Sequence, residues 1–147
     1  MEGVLEEAQV RAMFDRIAGL YDRMNTVMTA GLHHQWRRRA ADLAQVPRGG
    51  KALDVACGTG NHIGVLRKWY NVEGIDNSSY MLRQARRKYP DIQFKKADMK
   101  SFRLKQRFDI ITCLFSAVGH LRNRTELIQT IRNMNDHLKP GGLLILE

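Results

Sequence analysis

The chain has 147 residues, of which 44% are hydrophobic and 27% charged, a balance typical of one globular domain with a buried core. Its sequence contains no apolar run near the roughly 18 residues that cross a bilayer, and its acidic start differs from a signal peptide. Two cysteines make no disulfide framework, so a reducing, cytoplasmic setting is predicted.

The net charge of +9 makes a polyanionic partner, either nucleic acid or an anionic membrane surface, one interpretation of the basic residues. These residues cluster at 37–39 and at 83–88, but no aromatic side chains alternate with them as platforms for stacked bases. We therefore favour a solvated helix surface, and we keep nucleic acid as an alternative partner.

Two helices are predicted before residue 50. The first follows from apolar residues at helical spacing, which are Val10, Met13, Phe14, Ile17 and Leu20. The second spans residues 34–44 and ends before a proline-glycine hinge at 47–50. We expect one domain over residues 1–147, in which residues 1–50 form a helical N-terminal segment and residues 51–147 form the core.

From residue 51 onward, short apolar strands alternate with helices. Strands are predicted at residues 52–56, 72–76, 92–94, 108–114 and 143–146. Between them lie a helix at 63–69, one from Asn77 or Ser78 to Pro90, and one that begins at Asn123 with Glu126 in a capping box. The last helix carries an apolar face, made of Leu127, Ile128, Ile131, Met134 and Leu138. This alternation predicts an α/β, Rossmann-like, doubly wound and mainly parallel sheet of about five strands with helices on both faces.

A glycine-rich turn follows the first predicted strand. Gly58 and Gly60 allow a tight bend and a close approach of ligand to backbone, although a plain strand-to-helix turn has the same residues. The next glycine, Gly64, is misplaced for the third glycine of a dinucleotide-binding fingerprint. In doubly wound sheets ligands bind at the carboxyl ends of the strands, so this turn is the candidate cofactor loop.

Acidic residues follow the second and third predicted strands. Asp76 can accept hydrogen bonds from two ribose hydroxyls, or it can cap the helix that follows. Asp98 can bond an adenine amino group while Met99 packs on the ring, or it can be an ordinary loop residue. Three such signals after three successive strands predict one binding site more strongly than any of them alone.

As a set, these signals resemble the successive motifs of class I S-adenosylmethionine-dependent methyltransferases. The motifs are DVACGTG at 54–60, GIDNS at 74–78, KADM at 96–99 and LKPGG at 138–142. The resemblance implies that S-adenosylmethionine is the cofactor and S-adenosylhomocysteine its product, with Gly58 and Gly60 along the methionine part. It further implies a ribose contact from Asp76 and adenine contacts from Asp98 and Met99. The other implied cofactor-binding residues are Asp54, Asn77, Leu114 and Ala56, which stands where the family often has a glycine.

The N-terminal third resembles the ubiquinone/menaquinone biosynthesis C-methyltransferases. The similarity lies in VRAMFDRIAGLYD at 10–22, in Asn25, and in GLHHQWRRR at 31–39. In that family this segment lies over the cofactor, which implies that Tyr21 belongs to a lid near the acceptor. A half-buried packing tyrosine is the alternative.

Residues 112–121, TCLFSAVGHL, are more similar to the enzymes that dimethylate the amino group of nucleotide-linked deoxysugars. That resemblance implies that His120 lies near the acceptor, where an imidazole can take a proton from an amine or orient it. A loop histidine without a catalytic role is the alternative. We expect His62, just after the glycine turn, to be a supporting or solvent-exposed residue. No metal site is predicted, because the histidines and cysteines lack ligand spacing and methyl transfer needs mainly positioning.

Class I methyltransferases usually continue for two strands beyond the fifth, so we expect the sheet to lack its last two strands. An unpaired fifth strand predicts a homodimer through that edge. The early stop and the mixed resemblance favour a truncated, engineered or chimeric origin. The predicted function is methyl transfer to a small-molecule acceptor, either a quinone-type carbon or a sugar amine. The alternatives are a cofactor-binding scaffold with little or no turnover, and an RNA methyltransferase.

Overall fold

The structure is a computed structural model that describes residues 48–147 and seven single residues before them, at positions 9, 12, 13, 16, 32, 35 and 39. All seven are helical. Met13 is the only member of the first predicted apolar stripe among them, and it is 37% exposed. Leu32 is helical although the second helix is predicted to begin at residue 34. Tyr21 and the remainder of the predicted lid lie outside the described residues, so these predictions stay predictions.

Five strands form one sheet. They are β1 (Lys51–Val55), β2 (Asn71–Asp76), β3 (Gln93–Lys96), β4 (Phe108–Cys113) and β5 (Leu138–Leu146). Their order in the sheet is β3-β2-β1-β4-β5, and each neighbouring pair is parallel. The strand order reverses between β1 and β4, so the crevice for a ligand is expected at the carboxyl ends of these two strands.

Helices cover both faces of the sheet. They are α1 (Asn61–Leu66), α2 (Ser79–Lys88) and α3 (Arg124–Asp136), with a short 3-10 helix at Ala117–His120. Residues of α1 and α2 share one apolar core with the residues of β1, β2 and β4 that face them, while Met134 of α3 lies in the core on the opposite face. The doubly wound, parallel architecture predicted from the sequence is confirmed. In the described part of the chain no helix is long and apolar enough to cross a membrane.

The fifth strand begins five residues earlier than predicted. Phe108 of β4 pairs with Leu138, and Ile110 pairs with Leu143, so residues 139–142 form a bulge opposite Asp109. The prediction placed Leu138 in the preceding helix and began the strand at residue 143. In the structure α3 ends at Asp136, and the glycines bend a strand that has already begun. Bulges insert residues into one strand of a pair in this way.

The predicted apolar face of α3 is wrong in part. Ile128 and Ile131 are 38% and 36% exposed, whereas Thr130 and Asn133 are buried beside Met134. Tertiary hydrogen bonds set this rotation: the Asn133 side chain accepts from Arg103 and donates to the Met99 carbonyl at 3.3 Å. Next to it, His137 accepts from the Leu104 backbone N–H at 3.1 Å. The polar side chains at the end of α3 therefore hold the segment that follows β3 against this helix by hydrogen bonds.

Candidate cofactor site

The loop between β1 and α1 has an unusual backbone. Ala56, Gly58 and Gly60 all have left-handed φ angles, of 56°, 55° and 83°. Backbone hydrogen bonds fix the turn, since Cys57 N–H donates to the Ile75 carbonyl and Gly60 N–H donates to the Cys57 carbonyl, both at 3.0 Å. A Cβ added at Gly58 would meet no atom within 4 Å, so the loop has an open side on which a ligand can lie against the backbone.

Ala56 is a strained residue. A left-handed conformation costs an L-residue with a Cβ roughly 1–2 kcal/mol, which glycine does not lose. The geometry therefore explains the glycine that class I methyltransferases often have here. Alanine at this position therefore adds backbone strain to the loop.

Gly64, the glycine that does not fit a dinucleotide fingerprint, serves helix packing instead. A Cβ at Gly64 would lie 2.3 Å from the Tyr89 hydroxyl, and one at Gly60 would lie 3.3 Å from the Tyr89 ring. Lys88 donates to Thr59 Oγ1 at 3.3 Å and to Asn61 Oδ1 at 2.8 Å. The end of α2 thus supports the loop and the start of α1.

Asp76 joins the loop to the start of α2. Its Oδ2 accepts from Gly58 N–H at 2.9 Å, and its Oδ1 accepts from Ser78 N–H at 2.8 Å. Burial raises the pKa of Asp76, the two N–H bonds oppose this shift, and the charge of Asp54 adds to it. The alternative of Asp76 as the helix cap is wrong, because the N-cap of α2 is Ser78 and, at this helix, Asp76 accepts only from the N–H of that cap residue. Each carboxylate oxygen keeps a second lone pair, so the ribose contact stays a prediction, as does a contact from the half-buried Asn77.

Asp54 lies beneath the loop in a buried polar cluster with Thr112 and His62. Their exposed fractions are 3%, 0% and 4%. Asp54 and Thr112 are register partners on β1 and β4, and the Thr112 hydroxyl donates to Asp54 Oδ1 at 2.7 Å. His62 Nδ1 lies 3.3 Å from the same oxygen. Of the two expectations for His62, solvent exposure is wrong, and its contact with Asp54 is that of a supporting residue. Thr112 was not predicted, although a polar residue inside the apolar run of β4 was the available signal.

Asp98 and Met99 are half-buried in the loop that follows β3. The Asp98 side chain accepts from Lys100 N–H at 2.8 Å, which closes a tight turn. The Lys100 ammonium lies 3.8 Å from Asp98 and 3.6 Å from Glu126 on α3. Asp98 therefore has the ordinary loop role, and its contact with adenine, like that of Met99, stays a prediction.

The chain turns sharply after β4. Leu114 is buried, and the next two residues, Phe115 and Ser116, have left-handed φ angles of 62° and 55°. The 3-10 helix follows at once and ends at His120, whose side chain is exposed. Strained non-glycine residues of this kind concentrate at functional sites. The strand order places this turn beside the glycine loop, because β4 is the neighbour of β1.

The structure brings these predicted residues to one edge of the sheet. Asp54 and the glycine loop end β1, Asp76 ends β2, Asp98 follows β3 and Leu114 follows β4. In residues 48–147 and the seven single positions, no group of three or more histidine, cysteine or acidic side chains is placed to hold a metal ion. The sequence model of the ubiE/COQ5 methyltransferase family matches residues 2–147. The chain belongs to this family.

Relatives of both predicted kinds are similar to the chain. A dTDP-3-amino-3,6-dideoxy-alpha-D-glucopyranose N,N-dimethyltransferase of Streptomyces fradiae is 39% identical, covering 89% of this chain and 52% of the relative. The ubiquinone/menaquinone biosynthesis C-methyltransferase UbiE of Methylococcus capsulatus is 38% identical, covering 93% of this chain and 58% of that protein. Both resemblances found in the sequence are confirmed.

A solved structure with S-adenosylmethionine bound has the same fold. It is CalS10, an amino pentose methyltransferase from Micromonospora echinaspora, with a TM-score of 0.66 and 32% identity over 100% of this chain and 58% of that one. The chain thus spans little more than half the length of these relatives. S-adenosylmethionine, the cofactor implied by the motifs, is the cofactor of the family.

Both thiols of this family member are predicted to be inert in the folded state. Burial, followed by the charges of Asp54 and Asp76, raises the pKa of Cys57 well above 9.0 and that of Cys113 to about 12. Unfolded thiols lose their protons first as the pH rises, so the contribution of the two thiols to the free energy of unfolding should be present at neutral pH and be lost as the pH rises past 9.0 towards 12.

We expect a thiol reagent to modify neither cysteine at pH 8 in the native chain and both cysteines in urea. Other groups also titrate in alkali, so the matched control is the C57A/C113A variant. Its unfolding free energy should fall less steeply above pH 9 than that of the unaltered chain. Rapid labelling of Cys57 in the native chain would contradict the buried position of its side chain.

Proposed function

We propose that the chain binds S-adenosylmethionine at the carboxyl ends of β1, β2 and β3 and forms the cofactor-binding part of a small-molecule methyltransferase. The observation that supports this proposal best is the loop at 56–60. It contains left-handed φ angles, its backbone is open at Gly58, and Asp76 bonds to the Gly58 N–H. The residues fit the cofactor: an open backbone for an extended chain, the half-buried carboxylate of Asp76 for ribose hydroxyls, and the Asp98–Met99 pair for a base. The cofactor supplies a methyl group on a positively charged sulfur.

The residues around this loop would bind and orient the cofactor. Asp76 would accept hydrogen bonds from the ribose through its remaining lone pairs. Asp98 would accept from the adenine amino group while Met99 and the buried Leu114 pack against the base or the methyl region. Asp54 and Ala56 would shape the loop under the methionine part. Because the sulfonium is already activated, holding the acceptor in line supplies much of the rate.

A sugar amine is the acceptor we favour. The stretch at 112–121 is most similar to the sugar dimethyltransferases, and a relative named as one is 39% identical to the chain. His120, exposed at the end of the turn after β4, would orient the amine or accept the proton that a methylated amine releases. A quinone-type carbon is the second candidate, favoured by the family model over residues 2–147. Tyr21 would close over either acceptor.

Methyl transfer from labelled S-adenosylmethionine to a nucleotide-linked aminosugar and to a demethylated quinone tests this proposal. We expect label in the aminosugar, and much less label with the matched control, the Asp76→Ala variant, at a cofactor concentration that does not saturate that variant. Label in the quinone alone would select the second acceptor. Cofactor binding without turnover on either acceptor would support the alternative of a scaffold, and label in RNA alone would contradict a small-molecule acceptor.

The assembly and origin of the chain stay predictions. Among the described residues β5 pairs with β4 on one side only, and its apolar residues at 143–146 are half-buried, which supports pairing of two copies along this edge. Size-exclusion chromatography at several concentrations tests this homodimer. Relatives of both kinds match about nine-tenths of the chain, so the mixed resemblance lends a chimeric origin no support. The cytoplasmic location and the division into lid and core are likewise proposals.

A further inference from the structure

His62 is a buried polar residue without an evident role in the cofactor contacts described above. Its side chain is 4% exposed, and Nδ1 lies near Asp54 and Thr112, at 3.3 Å and 3.4 Å. Its other ring nitrogen, Nε2, is buried and has no hydrogen-bond partner among the described residues. A buried polar atom without a partner is costly, so such an atom in a native structure calls for an explanation.

The hydrogen bonds determine which ring nitrogen carries a proton. The single hydroxyl proton of Thr112 goes to Asp54 Oδ1, which is the shorter contact at 2.7 Å. A carboxylate can only accept, so the bond between His62 and Asp54 requires a proton on Nδ1. With Nδ1 engaged as the donor, an Nε2 that carries no proton presents a lone pair as an acceptor. Asp54 thus sets both the tautomer and the orientation of the imidazole, as second partners of histidines commonly do.

The electrostatic surroundings favour a positively charged donor for this lone pair. Asp54 and Asp76 both lie at this edge of the sheet, and their charges help to raise the pKa of the Cys57 and Cys113 thiols. Among the described residues that are buried, none is a lysine or an arginine, and the charge of Arg86 on α2, which lowers the pKa of Cys57, is the last of the effects on that thiol. A buried carboxylate without a cation is unfavourable, and a cationic ligand offsets that cost.

We propose that His62 is a positioning residue of the cofactor site, whose Nε2 accepts a hydrogen bond from the protonated amino group of the cofactor's amino-acid portion. The position of His62 supports this, because it lies two residues beyond Gly60, in the first turn of α1, directly after the loop that would carry that portion. The inference rests on the proposed cofactor site and adds to it a side-chain contact specific to the amine.

Two ligands and three proteins test the proposal by calorimetry. S-adenosylhomocysteine carries the amino-acid portion, while 5′-methylthioadenosine has the same adenosine and sulfur without it. In the His62→Asn variant the amide can replace the Nδ1 bond to Asp54, but nothing replaces Nε2. The matched control is Thr112→Val, which removes a hydroxyl bonded to Asp54 and leaves Nε2 in place. Thermal unfolding of each variant verifies that it is folded.

We expect His62→Asn to weaken S-adenosylhomocysteine binding about tenfold or more, as for loss of a charged hydrogen bond, and to leave 5′-methylthioadenosine binding unchanged. Thr112→Val should change both affinities by the same factor. Equal losses for the two ligands in His62→Asn, or no loss for S-adenosylhomocysteine, would overturn the proposal. Failure of the unaltered chain to bind either ligand would overturn the proposed function itself, and this inference with it.

A spectroscopic measurement separates ligand contact from mere support of the loop. The ¹⁵N resonances of the His62 ring are those that disappear in His62→Asn. We expect the Nε2 resonance to shift when S-adenosylhomocysteine is added and to stay in place with 5′-methylthioadenosine. The same shift with both ligands would show that the imidazole senses loop ordering and not the amine, which would also overturn the proposal.

Discussion

Replacing Asp76 with alanine is expected to weaken S-adenosylhomocysteine binding by about 1.5–3 kcal/mol, the range for lost hydrogen bonds to a charged group. This corresponds to a fall in affinity of about tenfold to a hundredfold. The structure adds a second reason, since the same carboxylate fastens Gly58 to β2 at 2.9 Å. Without this hydrogen bond, ligand binding would also have to order the loop, and that cost would lower the affinity. Calorimetry on both proteins measures the change.

The control for this variant must distinguish the effect of losing the loop contact from the effect of weakening the start of α2. Ser78 is the N-cap of α2, and its hydroxyl accepts from Met81 N–H at 3.2 Å. Ser78→Ala should lower the free energy of unfolding by about 1 kcal/mol, as for loss of a cap, and leave the affinity for S-adenosylhomocysteine unchanged. An Asp76→Ala variant that binds as tightly as the unaltered chain would sink the assignment of the cofactor loop.

Replacing Gly74 with alanine should cause the largest loss of stability. A Cβ at this position in β2 would lie 2.8 Å from the Phe94 ring and 2.9 Å from the Cys57 sulfur, and both side chains are buried. Overpacking of this kind costs about 1–3 kcal/mol, whereas alanine regains about 0.5–1 kcal/mol in chain entropy. With contacts on two sides, we expect a net loss of about 2 kcal/mol and a fall in Tm of roughly 5–8 °C.

Two further variants define this effect. Gly119→Ala is the matched control, because a Cβ there has its nearest neighbour at 4.0 Å and should change Tm little. The double variant Gly74→Ala with Cys57→Ala removes one of the two clashes, so its loss should be smaller than the sum of the single losses. Equal Tm values for Gly74→Ala and the unaltered chain would show that β2 and the loop are not packed as described.

The sequence predicted the parallel sheet well because its strands are short apolar runs bounded by strong turn residues. It could not predict the rotation of α3, since hydropathy favours Ile128 and Ile131 while tertiary hydrogen bonds bury Asn133. The early start of β5 was missed for a similar reason. Pro140 and the two glycines after it usually end structure, but a bulge absorbs them into the strand.

In the candidate site, too, features set by local sequence could be predicted and features set by tertiary contacts could not. The glycine loop, Asp76 and Asp98 were found from motifs, because each follows a strand directly. The Asp54–Thr112 contact depends on the register of β1 with β4, which joins residues 58 positions apart, so no local pattern reveals it. The role of Gly64 was likewise hidden, because it depends on Tyr89 of a different helix.

Several of the basic residues that contribute to the net charge of +9 form ion pairs or hydrogen bonds within the chain. Arg67 pairs with Asp91 at 2.7 Å, and Lys139 pairs with Asp109 at 2.9 Å. Arg86, in the second basic cluster, donates to the Phe94 carbonyl at 2.9 Å. These contacts favour the interpretation of a structured, solvated surface over a dedicated nucleic-acid interface.

The most direct test of the central claim is a crystal structure of the chain grown with S-adenosylhomocysteine. We predict that the ligand lies along the loop at 56–60, with its ribose hydroxyls about 3 Å from the Asp76 carboxylate and its adenine between Asp98 and Met99. A ligand bound elsewhere would contradict the account. So would a Gly58 backbone that no ligand covers in crystals grown with saturating ligand.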